Sequence, residues 1–86
     1  MVRFILRGEE LELYPKDVEA VVRVCSPEVI RKHYVEVNGR RFPPKQLLEV
    51  ILKVKGYKKN EFSRLDFTTM DARSIFLRLG FKCGEV

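Results

Sequence analysis

The sequence predicts a small α+β domain, a single unit over residues 1–86 with three to four helices and short antiparallel hairpins, in which helix-turn-helix or winged-helix-like packing can be accommodated. Three observations lead there. Eighty-six residues suffice for one modest hydrophobic core and no second lobe. Asn38-Gly39 stands between Val35/Val37 and Arg41/Phe42, and a two-residue type I′ turn needs positive φ at both central positions, which Asn-Gly supplies. Directly after it, Pro43-Pro44 opens a long apolar stretch that ends at Gly56, as a helix with a proline at its start and a glycine stop should.

Residues 2–14 read as a first hairpin, with Phe4 and Leu6 alternating against Arg3, Ile5 and Arg7, a turn at Gly8-Glu9, and Leu11 and Leu13 resuming the two-residue period. From Lys16 the period lengthens. Val18, Val21, Val22 and Cys25 share one helical face, with Asp17 and Glu19 near the positive end of the dipole; the β-branched crowding of residues 21–24 leaves a strand as the competing reading. Ser26-Pro27-Glu28 looks like an N-cap with a first-turn proline, which predicts a second short helix running through Val29 and Ile30 toward His33. An imidazole beside Arg31 and Lys32 could touch a phosphate; the reading taken is a helix-end histidine near the last carbonyls.

The segment Pro44–Lys55 is the clearest helix. Lys45, Gln46, Glu49 and Lys53 form a narrow polar stripe and the remainder is apolar, so it is expected at the centre of the core with its first turn as a candidate contact. Residues 57–60 form a basic loop with an aromatic, either a phosphate clamp or a solvated surface. Phe62, Leu65 and Phe67 are expected to plug the core. Thr68 and Asp71 resemble a capping box opening the last helix, whose stripe is Ala72, Ile75, Phe76 and Leu79 and which Gly80-Phe81 should close; residues 81–86 are a tail or a short closing strand.

Charge is confined. Residues 29–64 hold ten Lys/Arg against three Asp/Glu, an excess of +7 in a chain of net charge +5. Such a field attracts polyanions, nucleic acid foremost. Cys25, Cys83 and the lone His33 are too few for a closed four-ligand zinc site, and both thiols are expected to be reduced. No cofactor is expected. No apolar run approaches the roughly 18 residues of a membrane span, and the N-terminus alternates like a strand instead of showing a signal peptide, so the expected compartment is the cytoplasm and no membrane contact is expected. No nucleophile elbow, Gly-rich phosphate loop or metal-ligand spacing appears, and Glu61, Asp66 and Asp71 read as caps and solvated charges, so no catalytic residue is assigned and an enzyme is not expected.

The series Gly39-Arg40-Arg41-Phe42-Pro43-Pro44-Lys45, the apolar helix, Gly56, Asp66-Phe67-Thr68-Thr69, Ala72-Arg73 and Leu79-Gly80-Phe81 resembles the sulfur-recognising domain of phosphorothioate-DNA-dependent restriction endonucleases, which accompanies HNH nucleases. The likeness covers residues 18–81. It implies that the hairpin and the Phe-led turn approach the DNA backbone, with Phe42 and Pro43 as a small apolar surface and arginine supplying charge. Phe42 stands where tyrosine is common, Thr68-Thr69 stand where Ser/Gly-rich residues are expected, and these residues include no nuclease domain, so DNA contact carries over better than sulfur selectivity. The expectation is a nucleic-acid-binding module, DNA favoured over RNA and double-stranded DNA foremost, with Arg40, Arg41, Phe42, Pro43, Lys45, Lys58, Lys59 and Arg73 as contacts. The alternative is an accessory subunit that binds a protein partner, or a second copy of itself, through the edge of its first hairpin.

Overall fold

In a computed structural model, which describes residues 1–56 and 62–86, the chain opens with β1 (Val2–Leu6) and β2 (Glu9–Leu13), paired antiparallel so that Val2 faces Leu13 and Phe4 faces Leu11. The central turn pair is Arg7-Gly8, at φ 51° and 79°, one residue earlier than Gly8-Glu9. That register puts Val2, Phe4, Leu6, Leu11 and Leu13 on one face, and slipping by one residue would turn the apolar set to solvent. A helix, α1 (Pro15–Val22), follows. The Asp17 carboxylate accepts from the Tyr14 N–H at 2.8 Å, and the Cys25 N–H reaches back to the Val21 carbonyl, so Val18, Val21, Val22 and Cys25 are all buried as the helical spacing requires.

The expected second helix does not form. Residues 24–32 run as irregular backbone, and His33 opens a strand instead of ending a helix. That strand, β3 (His33–Val37), turns at Asn38-Gly39 (φ 51° and 78°) into β4 (Arg40–Phe42) with Val35 opposite Phe42. The helix α2 (Pro44–Lys55) ends at Gly56, whose φ of 67° is the left-handed closure expected there. The last helix, α3 (Thr69–Arg78), carries the reciprocal cap: the Asp71 N–H donates to Thr68 Oγ1 at 3.1 Å and the Thr68 N–H donates to Asp71 Oδ2 at 2.9 Å. At its other end the Phe81 N–H donates to the Phe76 carbonyl and the Gly80 N–H to that of Leu77, with Gly80 at φ 94°, a complete Schellman closure. The tail is the strand β5 (Lys82–Glu85), which joins β3 on the edge away from β4, giving a sheet of order β4-β3-β5.

The fold is thus α+β, with three helices and two antiparallel sheets. Val35, Val37 and Phe42 from the inner face of the three-stranded sheet meet Leu47, Leu48 and Ile51 of α2 and Ala72, Ile75 and Phe76 of α3, and the first hairpin adds Leu11 and Leu13 to the same core. Two cations staple that hairpin down: Lys55 Nζ donates to the Glu12 carbonyl (2.8 Å) and to Asp17 Oδ2 (3.0 Å), and Arg78 donates to the Arg3 carbonyl. Phe62 and Phe67 are buried as expected; Leu65, at 91% exposure, is not a core plug, because Ser63 and Asp66 close a turn that points it outward. Among the described residues no helix is long and apolar enough to cross a membrane, and no group of three or more His, Cys, Asp or Glu could hold a metal ion. Both cysteines are free thiols, and burial pushes each thiol up from its ordinary pKa.

Candidate functional site

The chain leaves the sheet at Phe42 and bends through Pro43 into α2. Phe42 is wholly buried, so it anchors the bend from within and is not a contact surface, contrary to the expectation for it. Pro43 is the N-cap in extended backbone (φ −62°, ψ 129°) and Pro44 occupies the first helical position, as its missing N–H permits. Unlike α1 and α3, this helix has no acidic residue in its first turn, and like α1 it has no N-cap side-chain hydrogen bond, so the Lys45 and Gln46 N–H groups lack an intrahelical acceptor at the positive end of the dipole.

The polar stripe of α2 proves to be an attachment surface. Gln46, only 7% exposed, accepts from the Glu28 N–H at 2.9 Å and donates to the Ser26 carbonyl at 2.9 Å. These are the backbone groups that an N-capped helix at Ser26 would have used, so Ser26 and Glu28 are held against α2 instead. One turn along, Glu49 accepts from the Arg64 N–H (3.0 Å), Nε (3.1 Å) and Nη2 (3.0 Å), while the same guanidinium grips Glu28 with Nη1 (2.9 Å) and Nη2 (3.1 Å). Arg64 therefore clasps both flanking loops to the helix. Its hydrogen bonds hold the Glu28 carboxyl below its ordinary pKa; at Glu49 burial alone would push the pKa up, but the bonds and charge of Arg64 outweigh it and the net shift is downward.

Between these loops and the start of α2 lies a cleft of about 480 Å³. Arg31, Lys32 and His33 line it from one side, Pro43 and Lys45 from another, with Thr69 of α3 and the Arg64–Glu28 pair completing the wall. Arg64 is spent on its two glutamates. The side chains of Arg31, Lys32 and Lys45 have no hydrogen-bonded or ionic partner among the described residues, so the cleft carries three cations without a paired carboxylate there. His33 Nδ1 is 3.6 Å from Glu85 Oε1, beyond hydrogen-bond reach, and has no hydrogen-bond partner.

Those of the remaining expected contacts that are described do not converge on this cleft. Arg40 Nη1 donates to the Val22 carbonyl at 3.0 Å and the guanidinium lies 5.1 Å from the Phe42 ring centroid, so it closes the C-terminus of α1, which has no basic residue of its own in the last turn. Arg41 points to the opposite face of the sheet, 4.2 Å over the Tyr34 ring and 3.6 Å from Glu36. Arg73 lies on α3, with Nε buried and unpartnered and Nη1 3.8 Å from Met70 Sδ, outside the cleft lining. Lys58 and Lys59 lie outside the described residues. Of the expected set, Pro43 and Lys45 are brought to one place, joined by Arg31, Lys32 and His33. The signal for the latter three was present as a consecutive basic run, but the helix reading of residues 26–33 directed them elsewhere.

A second hollow of about 250 Å³ lies between β1 and α3, walled mainly by Phe4, Leu6, Leu48, Phe67 and Ile75. No curated protein matches the chain, and no solved structure does. A family model matches over residues 2–86, nearly the whole sequence, and the chain belongs to the SCO5918-like family.

Proposed function

We propose that this chain is a small nucleic-acid-binding module, DNA favoured over RNA and double-stranded DNA foremost, that engages phosphates at the start of α2. The observation that supports it is the cluster of three cations, Arg31, Lys32 and Lys45, whose side chains have no partner among the described residues, around one cleft in which the acidic lining residue Glu28 is ion-paired with Arg64. Cations so placed fix position on a phosphate backbone without reading sequence. Phosphate neutralisation releases counterions, so log K should fall with log[salt] with a slope of about −0.9 per contact, or about −2.7 for three. The contact set differs from the sequence expectation, since Arg40 and Phe42 serve the fold. The finer fold reading is winged-helix-like, with the β4-β3-β5 sheet beside the helix start; residues 56–68 between α2 and α3 exceed the three to four residues of a helix-turn-helix connection. The resemblance to sulfur-recognising domains makes backbone sulfur the modification to test; the protein is read as a cytoplasmic DNA-binding protein without cofactor or catalytic group. Fluorescence anisotropy with a labelled duplex, with and without phosphorothioate linkages, at two salt concentrations tests the reading. Salt-independent binding, or none, contradicts it.

A second reading, an accessory subunit, draws on the first hairpin, where β1 is an edge strand beside the hollow, which Asp71, Ser74 and Arg78 line together with its apolar residues, and Ile5 is exposed. Under it, Ile5→Lys abolishes partner binding while the charge of the cleft is irrelevant.

A further inference from the structure

The cations without a partner among the described residues border a concavity of about 480 Å³, within the range of small-ligand pockets, so a duplex backbone can pass along its rim while a strand end can enter it. The walls have two characters. Arg31, Lys32 and Lys45 supply three positive charges, while Val29, at 84% exposure, and the two prolines offer apolar surface on the same lining. A phosphodiester brings one negative charge, whereas a terminal phosphomonoester brings about −1.5 to −2 at neutral pH together with three strong acceptor oxygens. Three cations around one small hollow answer the greater charge of the monoester and offer one cationic side chain for each of its acceptor oxygens, and the apolar side suits the sugar and base attached to it.

We propose that the cleft seats the terminal phosphorylated nucleotide of a nucleic-acid strand, its phosphomonoester held by Arg31, Lys32 and Lys45 and its sugar and base against Val29 and Pro43. This rests on the nucleic-acid reading above and narrows it to strand ends. On this basis the clasp of Arg64 on Glu28 and Glu49 has a purpose: it anchors the start of the segment that carries Arg31 and Lys32, which lowers the ordering cost of binding.

The test is an anisotropy titration with four labelled probes of one sequence: single strands ending in 5′-phosphate, 3′-phosphate or hydroxyls only, and a hairpin-capped duplex with no ends. The expected result is about tenfold tighter binding of one phosphorylated strand than of the hydroxyl strand, competition by the matching nucleoside monophosphate, and loss of the difference in Lys45→Ala and in Arg31→Ala, each verified as folded by circular dichroism. Equal affinity for phosphorylated, hydroxyl and end-less probes overturns the proposal while leaving a nucleic-acid-binding module in place. Absence of binding to all four overturns both.

Discussion

Replacing Arg64 by alanine removes the one side chain that, among the described residues, joins α2 to both Glu28 and the Ser63–Asp66 turn. Three of its hydrogen bonds end on Glu49, whose side chain is 12% exposed, and two end on the half-exposed Glu28. The backbone bond from the Arg64 N–H can persist in the alanine variant, so the loss is the guanidinium. A hydrogen bond to a charged group contributes about 1.5–3 kcal/mol, and orphaning a fully buried charge costs about 3–5 kcal/mol. Arg64 itself is 39% exposed, so solvent screens part of this, and we expect a cost of about 2 kcal/mol. In a domain of this size that lowers Tm by roughly 8–16 °C. Urea denaturation followed by circular dichroism measures it. Glu28→Gln should leave the midpoint close to wild type, and Glu49→Gln added to Arg64→Ala should recover part of the loss because the stranded carboxylate is gone. A cost for Arg64→Ala below about 0.5 kcal/mol, the range of ordinary surface substitutions, would refute the clasp.

Two glycines should resist alanine for opposite reasons. At Gly39 nothing lies within 4 Å of the site of a new Cβ, but φ is +78°, so Gly39→Ala should cost about 1 kcal/mol through backbone strain alone. At Gly84 the backbone is ordinary, but a Cβ would come within 2.6 Å of the Tyr34 Oη, and that ring is pinned beneath Arg41, so Gly84→Ala should cost about 1–3 kcal/mol by overpacking and should be relieved by Tyr34→Leu in the same urea assay. Acid stability follows from the depressed carboxyls of Asp17, Glu49 and Asp71: because each binds its proton less readily folded than unfolded, their contribution is full above the ordinary values of 3.8 and 4.5 and is lost as pH falls through the lower folded values. The urea midpoint should therefore be level from neutrality down to those values and decline below them, and a rise on acidification would contradict the assignment.

What could be read from the sequence was whatever is specified locally. Asn38-Gly39 closes its hairpin through its own φ preference, Thr68 and Asp71 cap α3 across three residues, and Gly80-Phe81 end it within one turn. The stripe of α1 was equally visible because burial follows a 3.6-residue period. The failures share one cause, partners distant in sequence. Ser26-Pro27-Glu28 carries a helix-start signature, but Gln46, twenty residues from Ser26, takes the backbone groups that signature would use. Arg40 and Arg41 looked alike as a basic pair, yet strand alternation sends one inward to the Val22 carbonyl and the other outward over Tyr34. Lys45 was identifiable because the helix start itself positions it. Arg31 and Lys32 became part of the same cleft only when Gln46 and Arg64 folded their loop against α2.

On the proposed function, the cations of this cleft, and not the hairpin arginines, meet the phosphates. The salt dependence of nucleic-acid binding tests it directly when wild type is compared with Lys45→Ala and with Arg41→Gln. Lys45→Ala should reduce the magnitude of the log K against log[salt] slope by about 0.9, the share of one phosphate contact, while Arg41→Gln should leave the slope unchanged. A slope that falls with Arg41→Gln and is untouched by Lys45→Ala would contradict the account.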